Sequence, residues 1–386
     1  MIFAALYPVP SPLPQAKPGT VISARPFAGG SALRSAAINT LVLYHTVSPA
    51  GHDVAVSGVI SVPNGTPPKG GWPVLSWAHG TTGNAPQCAP SQNARPNAEQ
   101  RFLDRWAGAG YAVEQTDYEG EGTPGLHPYF ANAGGAHDTI DIVRAARALY
   151  PQIGNRWIAM GHSEGGTAAL FAAALAPVWA PDLRLRGAVS YAPGSDITDA
   201  LGRMMTTTQP TRTLPLVMMM VEGIASTDSA IDLNRILSPR GAALLPQLQR
   251  ACIDQLMDAP DWNTIPPASL FQRDAPIERL VHDFGQNEPL GLPIHVPLLL
   301  EQGTADELVP PAATEALRSN LCSTGVRVQL DDIEGADHGS VIARSFDRVK
   351  NWVSALFSGA DPGTSAACAP SHANPPPLRY DRARTR

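Results

Sequence analysis

A run of five residues near the middle of the chain has the spacing of a catalytic serine turn, Gly161-His162-Ser163-Glu164-Gly165. The G-x-S-x-G pattern lies between a predicted strand, Arg156 to Met160, and a predicted apolar helix, Thr167 to Leu175. Glycines on both sides of the serine prevent side-chain clashes in a sharp strand-to-helix turn, which lifts the hydroxyl out of the sheet. This context predicts that Ser163 is a nucleophile rather than an ordinary turn serine.

A nucleophilic serine needs a base, and in this type of site the chain order is serine, acid, histidine. The histidines that follow Ser163 are His282, His295, His338 and His372. We favour His338 because it lies in the loop between the last predicted strand and the last predicted helix. The other three lie in a helical region, directly before a strand and in a Pro-rich tail.

The acid that orients the base is predicted in the loop Glu301 to Pro310, which follows the apolar strand Leu298 to Leu300. Asp306 is the better candidate because a short side chain fixes the imidazole tightly. Glu307 remains the alternative. Asp337 is expected to cap the last helix or to face solvent.

Acyl transfer also requires two N–H donors for the oxyanion. One donor is expected from the backbone of Glu164, the residue after the nucleophile. The other is expected from the segment His79-Gly80-Thr81-Thr82-Gly83, where we favour the N–H of Thr82 and keep Thr81 as the alternative. In a simpler interpretation, His79-Gly80 only ends the strand Pro73 to Ala78.

These residues are connected by alternating apolar runs and amphipathic segments, which predict an α/β fold with a mostly parallel central sheet flanked by helices. The alternation stops at about residue 194 and resumes at about residue 289, with Pro-broken helical segments in between. We therefore predict a single core, 21–193 and 289–358, with an inserted helical cap or lid, 194–288. An extended arm, 1–20, precedes the core, and a Pro-rich tail, 359–386, follows it.

The composition limits the partners of the chain. A formal net charge of −6 over 386 residues argues against nucleic acid and anionic membrane surfaces. No stretch reaches the roughly 18 apolar residues of a membrane-spanning helix. The N-terminus, Met1 to Tyr7, is not a complete secretory signal, so the sequence is expected to be a mature or truncated form of an exported protein. We also expect a monomer.

The four cysteines, Cys88, Cys252, Cys322 and Cys368, are widely spaced and form no C-x-x-C pair. Zinc-binding and thioredoxin-like sites are therefore not predicted, and the proposed chemistry needs neither a metal nor an organic cofactor. The even number allows two disulfides in three pairings, and four buried free thiols are an equal alternative.

One apolar segment of the predicted cap, Leu214 to Val221, contains three consecutive methionines. Methionine suits an adaptable wall for an acyl chain. A buried cap helix explains the segment more simply, and we favour that interpretation.

Several motifs together resemble the secretory lipase family, of the lipase A type, within the α/β-hydrolases. They are Trp77-Ala78-His79-Gly80-Thr81-Thr82-Gly83, Cys88-Ala89-Pro90-Ser91, Asp117-Tyr118-Glu119-Gly120-Glu121-Gly122, the serine motif with Gly166, and the loops around Asp306 and His338. The resemblance extends from about Pro18 to Phe357. It implies the α/β-hydrolase fold, hydrolysis of acyl esters outside the cell, and a helical cap over an acyl pocket. It also implies the disulfides Cys88–Cys252 and Cys322–Cys368.

The sequence thus predicts a serine carboxylic-ester hydrolase, an esterase or lipase, with the triad Ser163, Asp306 and His338. The expected substrates are small-molecule or lipid esters with short to medium acyl chains, met in part at a lipid interface and without stable membrane insertion. The expected location is extracellular or periplasmic. The alternatives are an acyltransferase, a prolyl-oligopeptidase-like peptidase and a non-catalytic binding protein with a hydrolase fold.

Overall fold

The structure is a computed structural model that describes residues 7–93, 95–360, 362 and 368. In this part of the chain, nine strands form one sheet in the order β1-β2-β3-β5-β4-β6-β7-β8-β9. The strands are β1 (Val21–Pro26), β2 (Ala36–Val47), β3 (Asp53–Pro63), β4 (Trp72–Ala78), β5 (Ala112–Thr116), β6 (Ile153–His162), β7 (Arg184–Tyr191), β8 (Leu298–Gly303) and β9 (Val328–Ile333).

The six strands from β5 to β9 in this order pair in parallel, and β1, β2 and β3 form an antiparallel extension at one edge. β1 and β2 were not predicted from the sequence. Most side chains of β1 are exposed, as expected of an edge strand, and the first four residues of β2, Ala36 to Asn39, are exposed or half-buried. β1 therefore lacks the apolar run by which a buried strand is recognised, and in β2 that run starts only at Leu41.

Helices cover both faces of the sheet. The helices are α1 (Ala98–Gly108), α2 (Asn132–Leu149), α3 (Glu164–Trp179), α4 (Ile197–Thr206), α5 (Leu214–Thr227), α6 (Leu233–Ile236), α7 (Pro239–Leu248), α8 (Ile253–Asp258), α9 (Pro260–Asn263), α10 (Glu278–Gln286), α11 (Pro311–Ser323), α12 (Val341–Arg344) and α13 (Phe346–Ser358). On one face α2, α3 and α11 pack on Val74 and Trp157 of the sheet. On the other face α1, α12 and α13 pack on Leu75 and Trp77. The result is the α/β-hydrolase arrangement predicted from the sequence.

The helices α4 to α10 stand between β7 and β8, and we call them the cap helices. They share an apolar cluster of their own, with Met218, Trp262 and Phe284 fully buried in it. Tyr129 and Phe130, from the loop before α2, belong to the same cluster. The cap helices are therefore packed against the loops of the core as well as against one another.

Both ends of the chain contact the core where they are described. Tyr7 is buried, and its hydroxyl lies 2.7 Å from Oγ of Ser91. Residues 1–6 of the predicted arm, and most of the predicted tail, including His372, lie outside the described residues. Among the helices of the described part, none has both the length and the apolar character needed to span a membrane.

Two disulfides link distant parts of the chain, Cys88 to Cys252 and Cys322 to Cys368. The first joins the loop after β4 to the start of α8, and the second holds Cys368 against α11. This is the pairing that the family resemblance implies. All four cysteines are thus paired.

Candidate active site

Ser163 sits at the turn between β6 and α3, with a positive φ of 57°. The turn has no room for side chains on either side of it. A Cβ on Gly161 would lie 2.1 Å from the carbonyl oxygen of Gly165, and one on Gly165 would lie 2.0 Å from that of Ala78. The strained serine therefore stands at the N-terminus of α3, where the helix dipole favours developing negative charge.

The structure brings Asp306 and His338 together across 32 residues of sequence. Nδ1 of His338 lies 2.8 Å from Oδ2 of Asp306, while the N–H groups of Leu308 and Val309 donate to Oδ1 at 2.9 Å. Burial alone would raise the pKa of Asp306, but these hydrogen bonds and the charge of His338 lower it below its ordinary value. The carboxyl group is therefore held ionised against the imidazole.

Two further acidic residues, Glu307 and Asp337, are adjacent in sequence to this pair. Glu307, the alternative acid, lies on the wall of the cavity described below. Oδ1 of Asp337 accepts the N–H of Ser340 at 2.8 Å, before α12. The residue whose carboxylate is hydrogen-bonded to His338 is therefore Asp306.

His162 is a site residue that the sequence analysis did not single out. Its Nε2–H donates to the backbone carbonyl of His338 at 2.7 Å, and the two rings lie 4.5 Å apart. Burial and the charge of His338 lower the pKa of His162 to about 3, so the ring is neutral. His162 thus holds the loop of His338 from the position adjacent to Ser163, and only its place in the serine motif could have indicated this.

The predicted oxyanion loop, residues 79–83, lies directly beside Ser163. A Cβ on Gly80 would lie 3.6 Å from Cβ of Ser163. Oγ1 of Thr81 lies 2.6 Å from the hydroxyl of Tyr129, and Oγ1 of Thr82 lies 2.9 and 3.0 Å from the two carboxyl oxygens of Glu121. Because the hydroxyl of Thr82 donates to Glu121, an oxyanion donor from Thr82 would have to be its backbone N–H.

The carbonyl of Thr82 is fixed from the cap side. The N–H of Ile253, the first residue of α8, donates to it at 2.8 Å. The preceding residue, Cys252, forms the disulfide with Cys88. The cap helices are therefore joined to the loop 79–83 by a hydrogen bond, and to Cys88, which follows this loop in the chain, by a covalent bond.

Buried acid and imidazole side chains lie close to this loop, and their contacts were not predicted from the sequence. Oε1 of Glu164 lies 2.7 Å from Nε2 of His127, and both side chains are buried. Burial and the nearby charge of Glu164 raise the pKa of Glu121 well above its ordinary value, and burial lowers the pKa of His79 to about 4. Such long-range pairs have no signal in the spacing of the sequence.

A cavity of about 1550 Å³ lies at the candidate site, and Ser163, His338, Thr81 and Thr82 form part of its wall. From the Met-rich segment, Met220 lines the cavity, whereas Met218 is buried among the cap helices. The segment therefore contributes to both a wall and a helical core. Among the described residues, no cluster of three or more His, Cys, Asp or Glu side chains is placed to bind a metal ion.

Comparisons with known proteins give a consistent result. Residues 91–365 match the sequence family described as Secretory lipase. A protein of Mycobacterium tuberculosis named "Probable inactive lipase MT1628" is 25% identical over 372 residues, which are 91% of this chain and 81% of that protein.

The fold of this chain resembles those of several solved structures. Lipase A of Candida antarctica superposes with a TM-score of 0.77 at 18% identity, over 95% of this chain and 89% of that chain. The rice cell wall degrading esterase LipA of Xanthomonas oryzae gives 0.71 at 20% identity, over 89% of this chain and 97% of that chain.

Proposed function

Because the chain belongs to the secretory lipase family, we propose that it is a serine carboxylic-ester hydrolase that cleaves acyl esters of short to medium chain. The observation that carries the proposal is the hydrogen bond between Asp306 and His338, in the same cavity wall as Ser163. A serine in a strained strand-to-helix turn, beside an imidazole oriented by an ionised carboxylate, is the arrangement that acyl transfer requires.

In the proposed mechanism, Oγ of Ser163 attacks the ester carbonyl carbon while Nε2 of His338 accepts the hydroxyl proton. The N–H groups of Glu164 and Thr82, with Thr81 as the alternative to Thr82, stabilise the oxyanion. When the tetrahedral intermediate collapses, the bond to the alcohol oxygen breaks, and His338 gives its proton to that oxygen. Water, deprotonated by His338, then cleaves the acyl-enzyme and releases the acid.

The name of the mycobacterial relative raises a second candidate, a hydrolase fold that binds ligands without catalysis. Loss of a triad member is the simplest route to such a protein. This chain keeps all three residues, and Asp306 and His338 lie within hydrogen-bond distance of each other. These features support the enzyme over the binding protein.

A fluorophosphonate probe separates the two candidates, because it labels only a serine that its base has activated. We expect stoichiometric labelling of the native chain and none of Ser163→Ala. On p-nitrophenyl butyrate the native chain should turn over and Ser163→Ala should not. Absence of labelling in the folded native chain would favour the binding protein, and full activity of Ser163→Ala would refute the assignment.

The acyl range is tested with p-nitrophenyl acetate, butyrate, octanoate and palmitate, with emulsified triglyceride alongside. We expect kcat/KM to be highest for butyrate or octanoate and to fall steeply at palmitate. The highest value at palmitate, together with rapid cleavage of the emulsion, would instead assign long-chain lipase activity.

We propose further that the enzyme acts outside the cytoplasm, because its family is secretory and its four cysteines are paired. We also propose that it is a monomer. Its partners are then ester substrates, some of them at a lipid interface. Thiol titration of the denatured, unreduced protein should find no free thiol, and light scattering should give the mass of one chain. Free thiols or a stable dimer would contradict this.

A further inference from the structure

The cavity at the active site has two apolar regions of different character. The covered region is formed by Leu216, Val217 and Ile253 of the cap helices, all of them buried. The open groove, as we call it, is formed by Leu290, Leu308, Val309, Ala312, Ala313 and Ala316. Leu290 is 41% exposed, and Ala312 and Ala316 are exposed as well. One region is therefore enclosed, and the other runs out to the surface.

The open groove has a defined wall on α11. Ala312, Ala316 and Asn320 recur at intervals of four and so share one face of the helix. Thr314 points away from this face into the core, where its hydroxyl donates to Oε1 of Gln302. Small side chains along the outer face leave space beside α11.

The opposite wall of the groove is tied to the same helix. The side-chain oxygen of Asn320 accepts the N–H of Gly291 at 2.7 Å, which holds the adjacent Leu290 beside α11. The groove is thus bounded by two segments whose spacing is fixed by a hydrogen bond.

The open groove lies beside the residues that orient His338, which bears on where the alcohol part of an ester would lie. Leu308 and Val309 donate their N–H groups to Asp306, which orients His338, and α11 starts directly after them. In the proposed mechanism His338 must protonate the departing alcohol oxygen, so that oxygen lies on the His338 side of Ser163. A chain attached to it then runs towards the groove.

The covered region is tied to the predicted oxyanion loop. Its residue Ile253 donates to the carbonyl of Thr82 in the oxyanion loop. The acyl chain therefore has the enclosed region beside the oxyanion loop, and the alcohol has the open groove.

Charge around the cavity limits the kind of alcohol. Six acidic residues line it, namely Glu99, Asp196, Asp199, Asp254, Glu288 and Glu307. Among the described lining residues, Arg203 is the one Arg or Lys, and it pairs with Asp196 at 3.1 Å. A phosphorylated or carboxylated alcohol would meet repulsion here without a free cation to offset it.

We infer that the open groove binds the alcohol part of the substrate and selects esters of uncharged, apolar alcohols longer than ethanol. The inference rests on the proposed function, since it assigns a role to each side of that site. The groove is continuous with the cavity that contains Ser163, and its lining is apolar and surface-accessible. An alcohol chain can therefore lie in it and still extend into solvent.

The test compares ethyl butyrate with hexyl butyrate for the native chain and for two Trp variants on α11. Each fully buried methylene strengthens binding about fourfold, so four methylenes in a half-open groove should raise kcat/KM at least tenfold. Ala316→Trp fills the groove and should lower the hexyl-to-ethyl ratio at least fivefold, and Ala312→Trp should act in the same direction. Ser319→Trp is the matched control, because Ser319 is exposed on the same helix but lies outside the cavity wall, and it should keep the native ratio.

The outcomes separate this inference from the proposed function. If the hexyl-to-ethyl ratio of kcat/KM is near one in the native chain, while ethyl butyrate is cleaved through Ser163, the groove assignment is wrong and the proposed function stands. The groove is also refuted if both Ala variants, folded by circular dichroism, keep the native ratio. If the native chain cleaves neither ester and resists the fluorophosphonate, the proposed function itself is wrong.

Discussion

Oγ1 of Thr82 lies within hydrogen-bond distance of both carboxyl oxygens of Glu121, at 2.9 and 3.0 Å. Glu121 is fully buried, so this contact comes from inside the protein and does not compete with solvent. The N–H of Ile253 also donates to the carbonyl of Thr82. The side chain and the carbonyl of Thr82, whose N–H we assign to the oxyanion, are therefore both held in place. In the proposed mechanism, Glu121 therefore positions a donor without touching the substrate.

Replacing Glu121 by Ala should lower kcat on p-nitrophenyl butyrate about ten- to a hundredfold and change KM less than threefold. The reason is that a displaced oxyanion donor costs more in the transition state than in substrate binding. Glu121→Gln keeps a hydrogen-bonding group of the same size and should retain most of the activity. Steady-state kinetics of folded variants measures both effects, and a change confined to KM would argue against the positioning role.

Asp306→Asn should lower kcat by about three to four orders of magnitude, since an amide can no longer stabilise the imidazolium of His338. Glu307→Gln is the matched substitution one residue away and should cost less than tenfold. Both are measured on p-nitrophenyl butyrate, with thermal melting as a check on folding. The reverse order of the two effects would transfer the acid role to Glu307.

The comparison of Asp306 with Glu307 shows what the sequence could and could not predict about the site. The loop, its place after β8 and the favoured Asp306 followed from local pattern. The choice between two adjacent acids depends on the N–H groups of Leu308 and Val309, which bind one of them. Such backbone donors have no signature in residue type.

Strands and helices with continuous apolar runs were predicted from the sequence. Those without such runs were missed, or their bounds were wrong. The sequence predicts one last helix after His338, but the structure has two, α12 and α13, separated at Ser345. The hydroxyl of this buried serine donates to the carbonyl of Val341, a local bond that competes with the regular helix. The roles of His162 and Glu121 were missed because their partners, His338 and Thr82, are distant in the chain.

The two disulfides should differ in their effect on activity. Their sequence separations are 164 and 46 residues, which in the chain-entropy model correspond to about 5 and about 4 kcal/mol of stability. Cys88→Ala with Cys252→Ala should lower both the melting temperature and kcat, because Ile253 is then freed from Thr82. Cys322→Ala with Cys368→Ala should lower the melting temperature alone. Equal loss of kcat in both double variants, at a temperature where both are folded, would contradict the coupling.

Glu301 on β8 should make the protein lose stability as the pH rises. Burial, and the charge of Asp331 nearby, raise the pKa of Glu301 to about 9 from an ordinary value of 4.5. Between these values the folded state keeps a proton that the unfolded state has lost, so the contribution is intact at low pH and is lost as the pH increases. The slope from one such group is at most about 1.4 kcal/mol per pH unit.

The measurement is the free energy of unfolding in urea at pH 7, 8 and 9. This range excludes the opposite effect of His79, His137 and His162, whose pKa values are lowered to about 4, 4 and 3 and which destabilise the fold only at acidic pH. Glu301→Gln keeps the shape of the side chain and removes the titration, so its stability should decline less steeply than that of the native chain. Glu315→Gln, at an exposed carboxylate paired with Arg318, should leave the native slope unchanged. Parallel declines for the native chain and Glu301→Gln would show that Glu301 is not the group that titrates, and the alkaline loss would then belong to other buried carboxyls such as Glu121.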